Sequence, residues 1–454
     1  MGYTRIDWVI LLSITTTLAI LLLDNNAIPI ILPTLQTHFS LTDRAVAWVM
    51  NGYYIGIAAF VMVGGRLTDI FGNKRTFLAS SFAYILLSLL VCSSLAFIPL
   101  VFFRVTQGIS MAFMAPAAMS IIVQTFPTKM RGRTWGISVL LGSIASWIGP
   151  ILVGIILEKS SWRGAFLLGP ALALFGLISV SLFVPEGSSQ KNMSVNRFEA
   201  ISFVALMFSL NITLMQSSKW GFTSFQILLS SIVVLICALL FGYSIKQKKT
   251  TLFDWNLMVN KKFLFCLLIV FTAQFMISLP FFWIEYLQFG RHYTPLEIGR
   301  IVGVSMIPSF LCAPLVGALA DRFSPKLPVF FGFVSLIVSL VCFNQFKITS
   351  DFIFLCSALA LFSMGQVFIL TPAVAAALSY SSTDVRATAA GIYSTVRFLG
   401  ASLGLACMTL ARSYTYTLGE MFVFVHGGLI FFSFLAGLLT LVSLKSYNEI
   451  KTPS

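Results

Sequence analysis

The sequence predicts an all-α polytopic membrane protein of fourteen transmembrane helices, with two six-helix bundles and two further helices inserted between them. Three observations predict it. First, 58% of the 454 residues are hydrophobic and only 10% are charged, against about 45–50% apolar and about 25% charged in a soluble domain. So few charges cannot coat a globular surface, and the mean hydropathy of +0.94 agrees. Second, the apolar residues fall in long runs, each close to the roughly 20 residues needed to cross a bilayer. Third, segments recur at a nearly constant offset of 252 to 256 residues, so the chain repeats itself.

Taken in order, the first run, 8–31, is too long for a removable leader and lacks the small-residue cleavage signal of one. Runs 45–64, 76–95, 97–123, 134–157 and 164–184 complete a first set of six. Runs 199–217 and 223–245 follow, flanked by the two longest polar stretches, 185–197 and 246–262, which are the size of ordinary loops. Runs 263–288, 297–319, 327–346, 352–378, 387–410 and 421–444 make a second six. The expected organisation is a bundle over 1–190, inserted spans 7 and 8 over 191–250, and a second bundle over 251–454.

An even number of spans puts both termini on one side of the membrane. With that side cytoplasmic, 19 of the 29 Lys and Arg residues lie in cytoplasmic loops, eight lie outside, and Arg104 and Arg397 fall within spans. An excess of inside cations is what sets membrane orientation. The net charge of +14 is thereby read as a topology signal, not as a nucleic-acid surface. The seven cysteines lie in or at the ends of spans without CxxC pairing; neither a metal cluster nor a disulfide framework is expected, and they read as small apolar residues.

The repeat is legible residue by residue. Gly65-Arg66-Leu67-Thr68-Asp69-Ile70-Phe71 recurs as Gly317-Ala318-Leu319-Ala320-Asp321-Arg322-Phe323, and Pro116, Arg131, Gly136 and Gly149 are echoed by Pro372, Arg386, Gly391 and Gly404. Two repeated bundles around a midplane cavity are the general plan of secondary transporters.

Asp24 is the one acidic residue deep within an apolar run; Glu158, Glu285 and Glu420 sit near span ends. A buried carboxylate costs several kcal/mol unless it is protonated or paired, so Asp24 is a candidate proton carrier. Alternatively it is a permanent ionic partner of Arg104. Arg104 keeps its charge at any physiological pH and shares a helix face with Gln107 and Met111. Span 5 carries Gly142, Gly149, Pro150 and Gly154, with Ser138 and Ala145 completing a smooth stripe suited to close helix approach. Proline there is expected to kink the helix. The loop after span 2 sets Asp69 beside Gly72 between Arg66 and Arg75, where a carboxylate can cap a helix or form a breakable latch; Asp321 is its second copy. Asn25, Asn26, Tyr53, Gln107, Met111, Gln274, Tyr286, Gln288 and Arg397 are the expected lining of a substrate cavity. Phenylalanines among the 44 present, with Met111 and Met114, would suit bulky apolar or cationic compounds. Of His38, His292 and His426 only the last lies within a span, and it reads as a satisfied core histidine.

These motifs resemble the major facilitator superfamily, and most of all its fourteen-span drug:proton antiporter branch. The segment Gly65 to Arg75 is similar to the signature GxLaDrxGrkr, and Arg104-Val105-Thr106-Gln107-Gly108 to RxxQG. Gly149-Pro150 with Gly154 resembles GPxxGG, with Val153 in place of the first paired glycine. Trp162-Arg163-Gly164-Ala165-Phe166 is like WRWxF, and Tyr286-Leu287-Gln288, Tyr293 to Gly299 and Arg397 to Gly404 are similar to branch-specific segments. Span 1 departs from the pattern LDxTIVNVALP, because Asn26 and Pro29 stand where it has Thr and Asn. The resemblance runs from Trp8 to about Gly428. It implies the major facilitator fold, proton coupling through Asp24 and Arg104, a gate at Asp69 with Asp321 as its weaker copy, and leak control by the span 5 motif.

The expected function is export of drugs or other amphipathic small molecules across the inner (plasma) membrane, coupled to protons, by alternating access between the bundles. The competing expectation is an importer or facilitator of an organic anion that uses Arg104 and Arg397 as carboxylate clamps. A membrane receptor is disfavoured, since the loops hold no sensory domain. No P-loop, GxGxxG, HExxH or catalytic triad pattern occurs, so neither enzymatic activity nor ATP-driven transport is expected. No metal or cofactor is expected either. The expected partners are the substrate, protons and the lipid bilayer, with a periplasmic adaptor as a further candidate and no nucleic acid.

Overall fold

The structure is a computed structural model that describes residues 4–186, 195–221, 223–246, 252, 255–322, 325–345, 351–380, 386–413 and 418–443, with the backbone alone at helical positions such as 128–133 and 320–322. Among these residues it is all-helical, without strands. The first set comprises α1 (Arg5–His38), α2 (Asp43–Phe71), α3 (Asn73–Cys92), α4 (Phe97–Thr125), α5 (Thr128–Lys159), α6 (Trp162–Ala165) and α7 (Leu168–Phe183). Helices α8 (Arg197–Trp220) and α9 (Phe225–Lys246) follow. The rest are α10 (Trp255–Val259), α11 (Lys261–Phe275), α12 (Leu279–Glu285), α13 (Pro295–Arg322), α14 (Lys326–Asn344), α15 (Phe352–Ser379), α16 (Arg386–Ser413) and α17 (Leu418–Ser443). Every expected span has its helix, and among the described residues thirteen are long and apolar enough to cross a membrane.

Polar side chains cap several helix starts, and these lie beyond the apolar runs. Thr4 and Asp7 form a reciprocal capping box at the start of α1, Thr42 caps α2, and Asn260 caps α11. Helix α2 continues through the charged segment 65–71 and stops at Gly72, whose φ of 92° only glycine adopts readily; α3 starts at the next residue. Asp69 therefore lies inside α2, and the N-terminus of α3 has no side-chain cap. That corrects the expectation of a capping carboxylate there.

Two spans are interrupted. Span 6 is α6 and α7, separated by Phe166 and Leu167. Span 9, expected as one helix, runs from α11 through a 3-10 turn (Met276–Ser278) into α12 and ends in a π-helical turn (Tyr286–Gly290). Pro280 supplies the physical reason, because it has no N–H to return to the carbonyl four residues back. Pro150, by contrast, sits inside an unbroken α5.

Two compact units emerge: Met1–Thr213, Thr223–Leu252 and Thr294–Gly299 in the first, and Leu214–Phe222, Phe253–Tyr293 and Arg300–Ser454 in the second. In the first, α1 packs on α5, and α3 packs on α4 and α7. In the second, α11 packs on α16, and α14 packs on α15 and α17. These are the same pairings carried across the repeat. The closest crossing in the first unit is α2 on α4. A Cβ at Gly56 would strike the Val105 carbonyl, and one at Gly108 would strike that of Tyr53; small residues permit such contact in lipid. Helix α8 is tied to α2 by a buried amide pair, Asn51 Nδ2 donating to Asn211 Oδ1 at 2.8 Å. Helix α9 is nearly bare, with 6% of its apolar window buried.

Candidate functional site

The centre of the first unit holds a charged, dry cluster. Arg104 on α4 and Asp24 on α1 are 1% and 6% exposed, with Nη1 3.3 Å from Oδ1. The guanidinium is anchored independently of that carboxylate. Its Nε donates to the Val49 carbonyl on α2 at 3.1 Å, and Nη1 also donates to Gln107 Oε1 at 2.5 Å. Gln107 Nε2 in turn donates to Ser88 Oγ on α3 at 2.6 Å. On the far side of the carboxylate, Tyr84 Oη donates to Asp24 Oδ2 at 3.4 Å. The Tyr53 ring lies 4.5 Å from Arg104 Cζ and Phe166 lies 5.6 Å away, where ring faces attract a cation. Four helices and the α6–α7 corner thus hold one acid between a fixed cation and a phenol.

Next to this cluster, α1 carries two further polar side chains, Asn25 and Asn26. Asn25 Oδ1 is buried without a hydrogen-bond partner. Pro29, one turn on, is inside the helix and has no N–H for the Asn25 carbonyl. Asn26 Nδ2 donates to the Leu22 carbonyl at 3.0 Å and to Ser146 Oγ on α5 at 3.2 Å. The glycine stripe of α5 meets the same helix. A Cβ on Gly142 would come within 3.0 Å of Leu18, and one on Gly149 would strike Leu23, the neighbour of Asp24. Farther along, Gly154 would meet the Pro295 carbonyl at 2.7 Å, and Glu158 accepts from the Leu296 N–H at 3.3 Å.

The loop residues separate. Gly65, Arg66 and Asp69 are half-buried in the last turns of α2. Arg75 pairs with Glu186 at 3.0 Å, both well exposed, and Lys74 Nζ donates to the Ser181 carbonyl at 2.9 Å. The basic end of α3 is thereby tied to the end of α7, instead of Arg75 bonding Asp69. The side chain of Asp321 lies outside the described residues.

The expected cavity residues divide between the units: Asn25, Asn26, Tyr53, Gln107 and a fully buried Met111 in the first, Gln274, Tyr286, Gln288 and Arg397 in the second. Gln274 is 3% exposed. Tyr286 and Gln288 lie half-buried in the π turn, a feature common at functional sites. Arg397 is half-buried, with its guanidinium carbon 5.5 Å from the Phe398 ring. Gly404, the repeat copy of Gly149, brings α16 onto the Phe275 backbone of α11. His426 accepts from Trp283 Nε1 at 3.2 Å, so its proton is on Nδ1, 2.7 Å from Asn344 Oδ1; it is a satisfied core histidine.

The sequence profile of the Major Facilitator Superfamily matches residues 14–405. The chain belongs to the major facilitator superfamily. As a transporter of that superfamily it is a multi-pass membrane protein. Its relatives include the "Multidrug resistance protein Stp" of Mycobacterium tuberculosis, 23% identical over 86% of this chain and 73% of the relative. The "Tetracenomycin C resistance and export protein" of Streptomyces glaucescens is 25% identical over 88% and 75%. The "Riboflavin transporter RibZ" of Clostridioides difficile is 22% identical over 90% and 89%. Among solved structures, a POT family transporter in complex with 5-aminolevulinic acid superposes with a TM-score of 0.72 at 14% identity, covering 98% of this chain and 96% of that one. At that identity the likeness shows the fold.

Within this superfamily transporter, sequence reasoning pairs Asp24 with Arg104 and sets Gln107 on the Arg104 face; it assigns Tyr53 to a cavity lining, whereas the structure lays that ring on Arg104. It misses Tyr84, Ser88 and the Val49 carbonyl. It also places Glu285 merely near a span end, whereas that side chain is 3% exposed within the second unit.

Proposed function

We propose that the chain exports amphipathic small molecules, preferentially cationic ones such as drugs, in exchange for protons, by alternating access in the inner (plasma) membrane with both termini cytoplasmic. The observation that carries this reading is the buried Asp24–Arg104 pair. Ionised, the pair is close to neutral and leaves neighbouring acceptors, Asn25 Oδ1 among them, free for the N–H groups of a cationic substrate. Protonated, Asp24 no longer offsets Arg104, which its bonds to Val49 and Gln107 hold in place. The site then carries a net positive charge and repels a cation in a low-dielectric interior. A proton arriving from outside thus favours substrate release, and its loss inside restores binding. Relatives named for multidrug resistance and export support the same direction.

A second reading, uptake or facilitation of an organic anion, draws support from the relative named as a riboflavin transporter. Its clamp loses one arm, however, because Arg104 is 1% exposed and already committed to internal acceptors. That leaves Arg397.

The test is flux in proteoliposomes with an imposed pH gradient. Wild type should move a fluorescent lipophilic cation against its gradient, and Asp24→Asn should reduce the proton-driven component at least a hundredfold while retaining substrate binding. Full proton-driven transport by Asp24→Asn, or accumulation of a labelled anion by wild type in its place, would sink the proposal.

A further inference from the structure

Away from the Asp24 cluster, the first unit carries an open groove of about 520 Å³ between α3 and α4, lined also by Phe71 at the end of α2. The exposed apolar side chains Phe82 and Leu86 beside it on α3 are 62% and 48% accessible, as befits a surface facing lipid. The groove is polar at one end and apolar along its length. Arg75, in the first turn of α3, stands at its mouth with Thr76; Ala79, Ala83, Ile109 and Phe113 form its walls. Ser80 and Ser110 also line it, but both spend their hydroxyls on carbonyls of their own helices and act as small spacers.

We propose that this groove binds one membrane phospholipid with an anionic headgroup, its phosphate at Arg75, its glycerol ester at Thr76 and an acyl chain along the alanines. Two independent observations point to a ligand with a polar head. Thr76 is 8% exposed and its buried Oγ1 has no hydrogen-bond partner, which is costly for a hydroxyl; an ester carbonyl at the groove mouth would accept from it. Arg75 uses a single nitrogen on Glu186, in a pair where both side chains are largely exposed. A guanidinium has five N–H groups, so it can hold a phosphate at the same time and matches that group's geometry. The walls suit the tail: where alanine stands at 79 and 83 the groove is open, and a larger side chain at either would close it. The volume accommodates one acyl chain. The inference concerns a site separate from the Asp24 cluster and does not depend on proton coupling.

The experiment is lipid counting. The full-length protein is reconstituted in bilayers of equal parts phosphatidylglycerol and phosphatidylethanolamine, re-extracted in mild detergent, and its retained lipids are measured by native mass spectrometry. Wild type should keep one phosphatidylglycerol per chain. Arg75→Gln should lower phosphatidylglycerol retention about tenfold and leave phosphatidylethanolamine unchanged, while Ala83→Phe, which fills the groove, should abolish retention of both. Ser110→Leu fills it from the opposite wall, so a folding defect in one variant does not decide the result; thermal melting of each variant identifies such a defect. Equal retention by wild type and a folded groove-filled variant would overturn the proposal, as would a wild-type preference that survives Arg75→Gln.

Discussion

Arg104 is held in three directions, and this decides what Asp24 can do. Its bonds to Val49 and Gln107 do not involve the carboxylate, so loss of the Asp24 charge need not release the guanidinium. Gln107 is the weak point of the arrangement, since its two ends bridge Arg104 and Ser88. Gln107→Leu takes a buried acceptor from Arg104, a loss of about 1–3 kcal/mol, while Ser88 keeps its bond to the Tyr84 carbonyl. It is expected to lower the melting temperature in detergent and to cut proton-driven flux at least tenfold. Gln107→Glu, which keeps an acceptor toward Arg104, should be milder in melting; equal melting of the leucine variant and wild type would remove Gln107 from the network. At this scale the sequence was legible where charge is rare. Asp24 and Arg104 stand out in apolar runs, and Gln107 follows from helical spacing. Tyr84 and Ser88 carry no such mark, because hydroxyl groups are common in spans, and their orientation depends on how α3 packs against α4 and α7.

Among the elements, apolar runs locate the bilayer core but not the helix ends or breaks. The continuation of α2 through residues 65–71 follows from backbone bonding that hydropathy does not sense. The 3-10 turn at Met276–Ser278 hides in a run whose composition is uniform, with only Pro280 to announce it. Packing is legible in part: spacing reveals the span 5 stripe but not the α2–α4 crossing. There Gly56 and Gly108 let the helices meet at backbone contact, and overpacking typically costs about 1–3 kcal/mol. Gly108→Leu is expected to exceed that range, since the atom it strikes is a backbone carbonyl, and to yield little folded protein by size-exclusion profile. Leu235→Ala on α9, where the side chain is 58% exposed, should leave that profile unchanged. A monodisperse Gly108→Leu protein with wild-type melting would show that the crossing is looser than described.

For the whole molecule, the repeat read from Gly149 and Gly404 reappears as packing, with α5 on α1 and α16 on α11. Orientation rests on charge. The two termini are expected on the cytoplasmic side because that choice places 19 of 29 cations there. Reporter fusions at each end, fluorescent only in the cytoplasm, should both report; one dark terminus would break the fourteen-span count, and two would invert the molecule. Substrate identity was the least legible property, for a physical reason. It depends on the joint shape of side chains drawn from many helices, and span 1 departs from its family at Asn26 and Pro29, where that lining is set.

The bare surface of α9 has one more implication. Its 22 residues make a rod about 33 Å long at 1.5 Å per residue, against a hydrocarbon thickness of about 30 Å. With almost no protein neighbours to fix its angle, hydrophobic mismatch is left to set its tilt. Bilayer thickness should therefore be felt first at α9, making this helix a gauge of the membrane that surrounds the transporter.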